Sequence, residues 1–161
     1  MKKNTIINWI WQIALTVLLI GVDRATKLFV VSNFIPGEIF GEIPHVADFV
    51  YVRNTGAAFS VLSGRTEILS IISVVFLVAV VIYKIVKKPE GFMLNLAVVL
   101  LFSGAFGNAV DRIMYKYVVD FIDIKWFEFP VFNIADIAIV LGAIAAVICV
   151  MFFDKSGDKE V

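Results

Sequence analysis

Ile134-Ala135-Asp136-Ile137-Ala138-Ile139-Val140-Leu141 opens an apolar run that continues to Phe153 with one charge, Asp136, in its first turn. At 1.5 Å rise per residue, such a run crosses a hydrocarbon core of about 30 Å as a helix. Three further runs share this property: about Ile6 to Ser32, Ile68 to Val86 and Phe92 to Val110. The chain therefore reads as an all-α membrane protein, with four transmembrane helices in a single integral membrane domain, residues 1–161. The outer loops are expected at 33–67 and 111–133. Composition agrees: 61% of the 161 residues are hydrophobic, whereas soluble domains are near half apolar. Formal net charge is +0, so no basic surface argues for nucleic acid.

Lysines orient the helices. Lys2 and Lys3 precede the first run, Lys84, Lys87 and Lys88 occupy the turn between the second and third, and Lys155 and Lys159 follow the fourth. The positive-inside rule places these three sites in the cytoplasm, with both termini inside and the two long loops outside. The first run is expected to stay uncleaved, because Asp23-Arg24-Ala25-Thr26-Lys27 follows in place of a small-residue cleavage site. In the outer loops, Phe49-Val50-Tyr51-Val52-Arg53 favours strand. Together with the aromatic segment Trp126–Phe132, it predicts a small β element resting at headgroup level.

Polar residues at membrane depth carry the chemistry. A carboxylate there is costly and by default functional, and Asp120 and Asp136 both lie at this border. Two carboxyls that meet must share a proton, which suits acid–base work. Helical spacing puts Asp23 with Lys27, and Gly104 with Asn108 and Arg112, on shared faces, while Asn133 lies three residues before Asp136. In the inferred topology, separated pieces of sequence bring Asp23, Lys27, Asn54, Asn108, Arg112, Asp120, Asn133 and Asp136 to one depth. Asn54 and Asp120 come from loops.

Plainer roles compete with these. Asp111-Arg112 reads as a helix-end charge pair, Asp23–Lys27 as interfacial snorkelling, Gly104 and Gly107 as close-packing residues, and Asp136 as a helix cap. The single cysteine, Cys149, makes no internal disulfide, and the single histidine, His45, is too few for a zinc hydrolase. Residue chemistry alone leaves open a hydrolase, a carboxylate-based transporter and a structural subunit. The inner helix halves carry almost no polar residues, with Gln12 and Asn95 as exceptions, which favours an enzyme open to one side.

The motifs Asp23-Arg24-Ala25-Thr26-Lys27, Arg53-Asn54-Thr55-Gly56-Ala57-Ala58-Phe59, Gly104-Ala105-Phe106-Gly107-Asn108-Ala109-Val110-Asp111-Arg112, Val118-Val119-Asp120-Phe121 and Phe132-Asn133-Ile134-Ala135-Asp136 occur in order along the chain. With them the chain resembles the lipoprotein signal peptidases, or signal peptidase II, which are bacterial membrane aspartic proteases. The resemblance covers nearly the whole length. It implies Asp120 and Asp136 as the catalytic pair, with Asp23, Lys27, Asn54, Asn108, Arg112 and Asn133 in support and Gly104 on the same face. It implies cleavage of a diacylglyceryl-modified prolipoprotein before the lipidated cysteine, with no metal or organic cofactor. It also implies contact with membrane lipids, inhibition by globomycin-type cyclic peptides, and a multi-pass place in the bacterial cytoplasmic membrane with the active site near the outer face. Arg24 departs from the glutamine common in the family, with little consequence expected. Ala57 and Ala58 are expected to admit a substrate backbone closely.

Overall fold

Residues 3–56 and 62–153 are described by a computed structural model. Four helices, α1 (Lys3–Asn33), α2 (Thr66–Lys87), α3 (Phe92–Tyr115) and α4 (Ile134–Phe153), are joined by three strands, β1 (Ile39–Ile43), β2 (Ala47–Asn54) and β3 (Val118–Ile124). Each helix is long and apolar enough to cross a membrane. Half of the most apolar window of α3 is buried, against 6% of that of α2. α3 is accordingly the central helix, packed on α1, α2 and α4, and α2 lies at the periphery. The many large apolar side chains left exposed, such as Ile10, Val17, Ile71 and Val150, suit a lipid solvent.

α3 continues through Asp111 and Arg112, beyond the Val110 end expected from hydropathy. Lys116 closes it in the left-handed region (φ 65°), its N–H donating to Arg112 O at 3.1 Å. The extension is possible because the Asp111 charge is met by cations from α1. Asp111 and Arg112 are therefore helical and do not belong to the outer loop.

The β element is a three-stranded antiparallel sheet in the order β1-β2-β3. Asn54 and Asp120, expected in loops, both lie on strands. β-branched Val118, Val119, Ile122 and Ile124 favour extended backbone, and β2 supplies the pairing partner. Period-two alternation sends Val119 and Phe121 into an apolar cluster with Val30 and Tyr51 and turns Asp120 to the other face. Phe132 bridges Ile122, which brings the chain back to the start of α4. Trp126 and Phe127 are exposed beside the sheet; the aromatic segment Trp126–Phe132, expected in the β element, forms no strand and pairs with it through the Phe132 bridge. Ala57 and Ala58 and the terminal Lys2, Lys155 and Lys159 lie outside the described residues.

α3 and α4 approach closely at Gly104, where an added Cβ would run into the Ala135 carbonyl and the Ile139 side chain. Gly104→Ala is expected to destabilise the fold by about 1–3 kcal/mol through overpacking. Gly21→Ala, with nothing within 4 Å of the new methyl, should be neutral or slightly stabilising. Thermal unfolding in detergent separates the two, and equal midpoints would refute the close-packing role.

Candidate active site

Asn133, immediately before α4, and Asp136 form a reciprocal cap. The Asp136 N–H donates to Asn133 Oδ1 at 3.0 Å, and the Asn133 N–H donates to Asp136 Oδ2 at 3.1 Å. This is a capping box with Asn and Asp in place of the usual Ser/Thr and Glu. Capping uses only one Asp136 oxygen. Oδ1 accepts from Asn108 Nδ2 at 2.7 Å, so capping and site geometry are combined in one side chain.

Asp120 arrives from the sheet and is 1% exposed. Its two oxygens accept from Asn133 Nδ2 at 2.6 Å and Asn54 Nδ2 at 2.8 Å. Asn54 can reach because β2 places Val52 opposite Asp120, and residue 54, two positions on, shares that face. Asn133, completely buried, thus binds both carboxylates. Its amide also faces Asn108 Oδ1 and Val119 O, which fixes its orientation. Burial, and then the charge of Asp136, push the Asp120 carboxyl up to about 7. The hydrogen bonds from Asn54 and Asn133 oppose this rise.

Behind the pair lies a buried ion network. Lys27, 1% exposed, bridges Asp23 Oδ2 and Asp111 Oδ2 at 3.0 Å each and donates to Asn108 Oδ1 at 2.9 Å. The other Asp23 oxygen accepts from the Ala135 N–H at 3.1 Å, anchoring the first turn of α4. A Cβ at Gly107 would collide with the Asp23 carboxylate, so Gly107 makes room for it. Asp111 is fully buried and is not the partner of Arg112: it pairs with Lys27 and with Arg24 Nη1 at 2.8 Å, and accepts from the Val119 N–H at 3.3 Å. Arg24 also bonds the Tyr115 hydroxyl. Arg24 is therefore a structural member of the network. Two carboxylates and two cations leave the cluster neutral, the arrangement under which buried charges are tolerated.

A groove of about 450 Å³ opens over the pair, with Asn54, Asn108, Arg112, Asp120 and Asp136 in its polar wall and Phe132 and Val140 in its apolar one. Arg112 Nη2 lies 3.4 Å from Gly56 O, and its buried Nε has no partner. Gly104 faces Ala135 and Ile139, so its contribution is to helix packing. Asp111 and Arg24 were the residues sequence reasoning undervalued. Nothing in local spacing announces a pair 87 positions apart.

With two carboxyls joined by one asparagine at the border of a helix bundle, the relatives of the chain become informative. A family model described as Signal peptidase (SPase) II matches residues 15–152. The chain belongs to the signal peptidase II family. It is 36% identical over 143 residues to a lipoprotein signal peptidase of Clostridium acetobutylicum, covering 87% of this chain and 93% of that one. It is 37% identical over 151 residues to one from Staphylococcus aureus (strain JH9), covering 92% of each. A bacterial membrane enzyme solved in meso at 2.3 Å superposes with a TM-score of 0.85 at 33% identity, covering 93% of both chains. A second, solved at 1.9 Å, gives 0.79 at 35% identity, covering 89% of this chain and 93% of that one. Family membership makes the chain a peptidase, and its four apolar helices make it a multi-pass bacterial membrane protein.

Proposed function

We propose that this signal peptidase II family member is a membrane aspartic endopeptidase. Its reaction is removal of the signal peptide from diacylglyceryl-modified prolipoproteins, immediately before the lipidated cysteine. The observation that carries this reading is the sharing of Asn133 by Asp120 and Asp136, beneath a groove that is apolar on one side and polar on the other.

Asp120, with its carboxyl near 7, carries the shared proton. Asp136 takes a proton from water as the oxygen attacks the scissile carbonyl carbon, while Asp120 protonates the carbonyl oxygen. The tetrahedral diol collapses when Asp136 returns its proton to the leaving amine and Asp120 recovers its own. Arg112, a rigid fork of donors, orients a substrate carbonyl, and the apolar wall receives the hydrophobic signal peptide. With Lys84, Lys87 and Lys88 cytoplasmic, both termini are inside and the dyad lies near the outer face, where the cleavage site of a signal peptide arrives. Globomycin-type cyclic peptides are expected to occupy the same groove and compete with substrate.

The test is purified protein given one prolipoprotein with and without its diacylglyceryl group, followed by product mass. Cleavage of the modified form alone, leaving the lipidated cysteine as the new N-terminus, is the expected result. Cleavage elsewhere, or of both forms equally, would reject the substrate class.

The pH dependence has a defined sign. The acid form of Asp120 is lost as pH rises through about 7, so kcat/KM should fall about tenfold per pH unit above that point. Asn54→Ala removes a bond that favours the ionised carboxylate, so its alkaline limb should move to higher pH. An unmoved or acid-shifted limb would contradict the assignment. The same raised carboxyl stabilises the fold fully below the unfolded value of about 3.9, a contribution lost as pH climbs towards 7.

A further inference from the structure

The end of the bundle away from the dyad holds a second polar cluster that the proposed chemistry does not use. Lys84, near the end of α2, donates to Gln12 Oε1 on α1 at 2.6 Å and to Asn95 Oδ1 on α3. Its ammonium lies 4.9 Å from the centre of the Trp9 ring. Gln12 and Asn95 are the two polar residues that stand out in the otherwise apolar inner halves of the helices, and both are buried. Gln12 lies about three turns before Asp23 on α1, roughly 16 Å away along the axis, so this cluster is separate from the dyad.

The cluster holds a charge that it does not neutralise. Among the described residues no carboxylate pairs with Lys84. Two carboxamide oxygens occupy two of the three ammonium donors and supply no formal charge. Lys87 and Lys88, both exposed, add positive charge at the same end. Beside Lys84 runs a groove of about 370 Å³ between α1, α2 and α3, its walls almost wholly apolar and including Ile13, Val17, Val81, Val98 and Phe102. From Trp9 to Val17 it extends about 12 Å along α1. That is too short for a crossing peptide helix, which needs about 30 Å, and it suits a single acyl chain.

We propose that this groove is a binding site for an anionic glycerophospholipid, with one acyl chain along the α1–α2–α3 cleft and the phosphate on Lys84 Nζ. A zwitterionic lipid would bring a second cation towards Lys84, Lys87 and Lys88, so the site should discriminate by headgroup charge. Gln12 and Asn95 hold the ammonium at the mouth of the groove, which lowers the cost of ordering a long side chain for one ligand.

The experiment is native mass spectrometry of the full chain in mild detergent. The protein is offered equal amounts of phosphatidylglycerol and phosphatidylcholine with identical acyl chains. Wild type should retain phosphatidylglycerol about fivefold more than phosphatidylcholine, and Lys84→Arg should keep the preference. Lys84→Met should lose it. Val81→Trp, which fills the groove from a partly lipid-exposed position and leaves Lys84 in place, should lose retained lipid of either kind and serves if Lys84→Met fails to fold. Equal retention of both lipids by wild type would overturn the proposal. So would an unchanged preference in Lys84→Met, undiminished retention in Val81→Trp, or displacement of the lipid by equimolar glycerol 3-phosphate, which would mark a free-phosphate site.

Discussion

Replacing Asp136 with asparagine is expected to lower prolipoprotein cleavage by on the order of 10³-fold, and Asp120→Asn by a similar factor. The exchange is nearly isosteric, so lost activity would not reflect lost packing. At position 136 an asparagine oxygen can still accept from the Asn133 N–H, which preserves the cap, while the proton-accepting capacity disappears. At position 120 the amide nitrogen would set a donor against one of the two amides, of Asn54 or Asn133, while the remaining oxygen still accepts from the other, and the side chain could not protonate a carbonyl oxygen. Because the two carboxyls act as a unit, the double variant should be little worse than either single one. Membranes carrying each variant, given the lipid-modified precursor and followed by mass shift on a gel, provide the measurement. Intact protein with no cleavage supports the dyad. Cleavage retained by either variant would remove that residue from the mechanism, and an inactive but well-folded wild type would reject the proposed substrate.

The second large effect is on stability. Lys27→Met is expected to destabilise the protein by about 3–5 kcal/mol, the usual cost of removing one partner from a buried ion cluster. The loss leaves Asp23 without a cation and Asp111 with Arg24 alone. Asn108 Oδ1 also loses one of its two donors, keeping only Asn133 Nδ2, so the amide that reaches Asp136 is held less firmly. Lys27→Met combined with Asp23→Asn removes one excess negative charge and should recover part of the deficit. Thermal unfolding in detergent reads both variants. A midpoint equal to wild type in Lys27→Met would show that the network does not hold these helices together.

The described elements differ in how visible they were before folding. Helix α4 has the same bounds in hydropathy as in the fold, Ile134–Phe153, because a twenty-residue run with Asp136 as its one charge must satisfy its backbone internally in lipid. α3 did not, because hydropathy reads Asp111 and Arg112 as a surface, whereas two cations from α1 make the burial of Asp111 possible. β3 was hidden for a related reason: its burial pattern is continuous over Val118–Phe121, so no alternation marks it as a strand, and only β2 provides its partner.

The sequence by itself determined the membrane class, the four helices and the small set of polar residues at membrane depth. These follow from local hydropathy and from the cost of placing charge in hydrocarbon, both of which are properties of single segments. Tertiary structure alone decided which polar groups meet: Asn133 between Asp120 and Asp136, Arg24 on Asp111, and Lys84 with Gln12 and Asn95. Such pairings are chosen by helix packing across long separations, where each buried polar group takes the partner that geometry brings within reach.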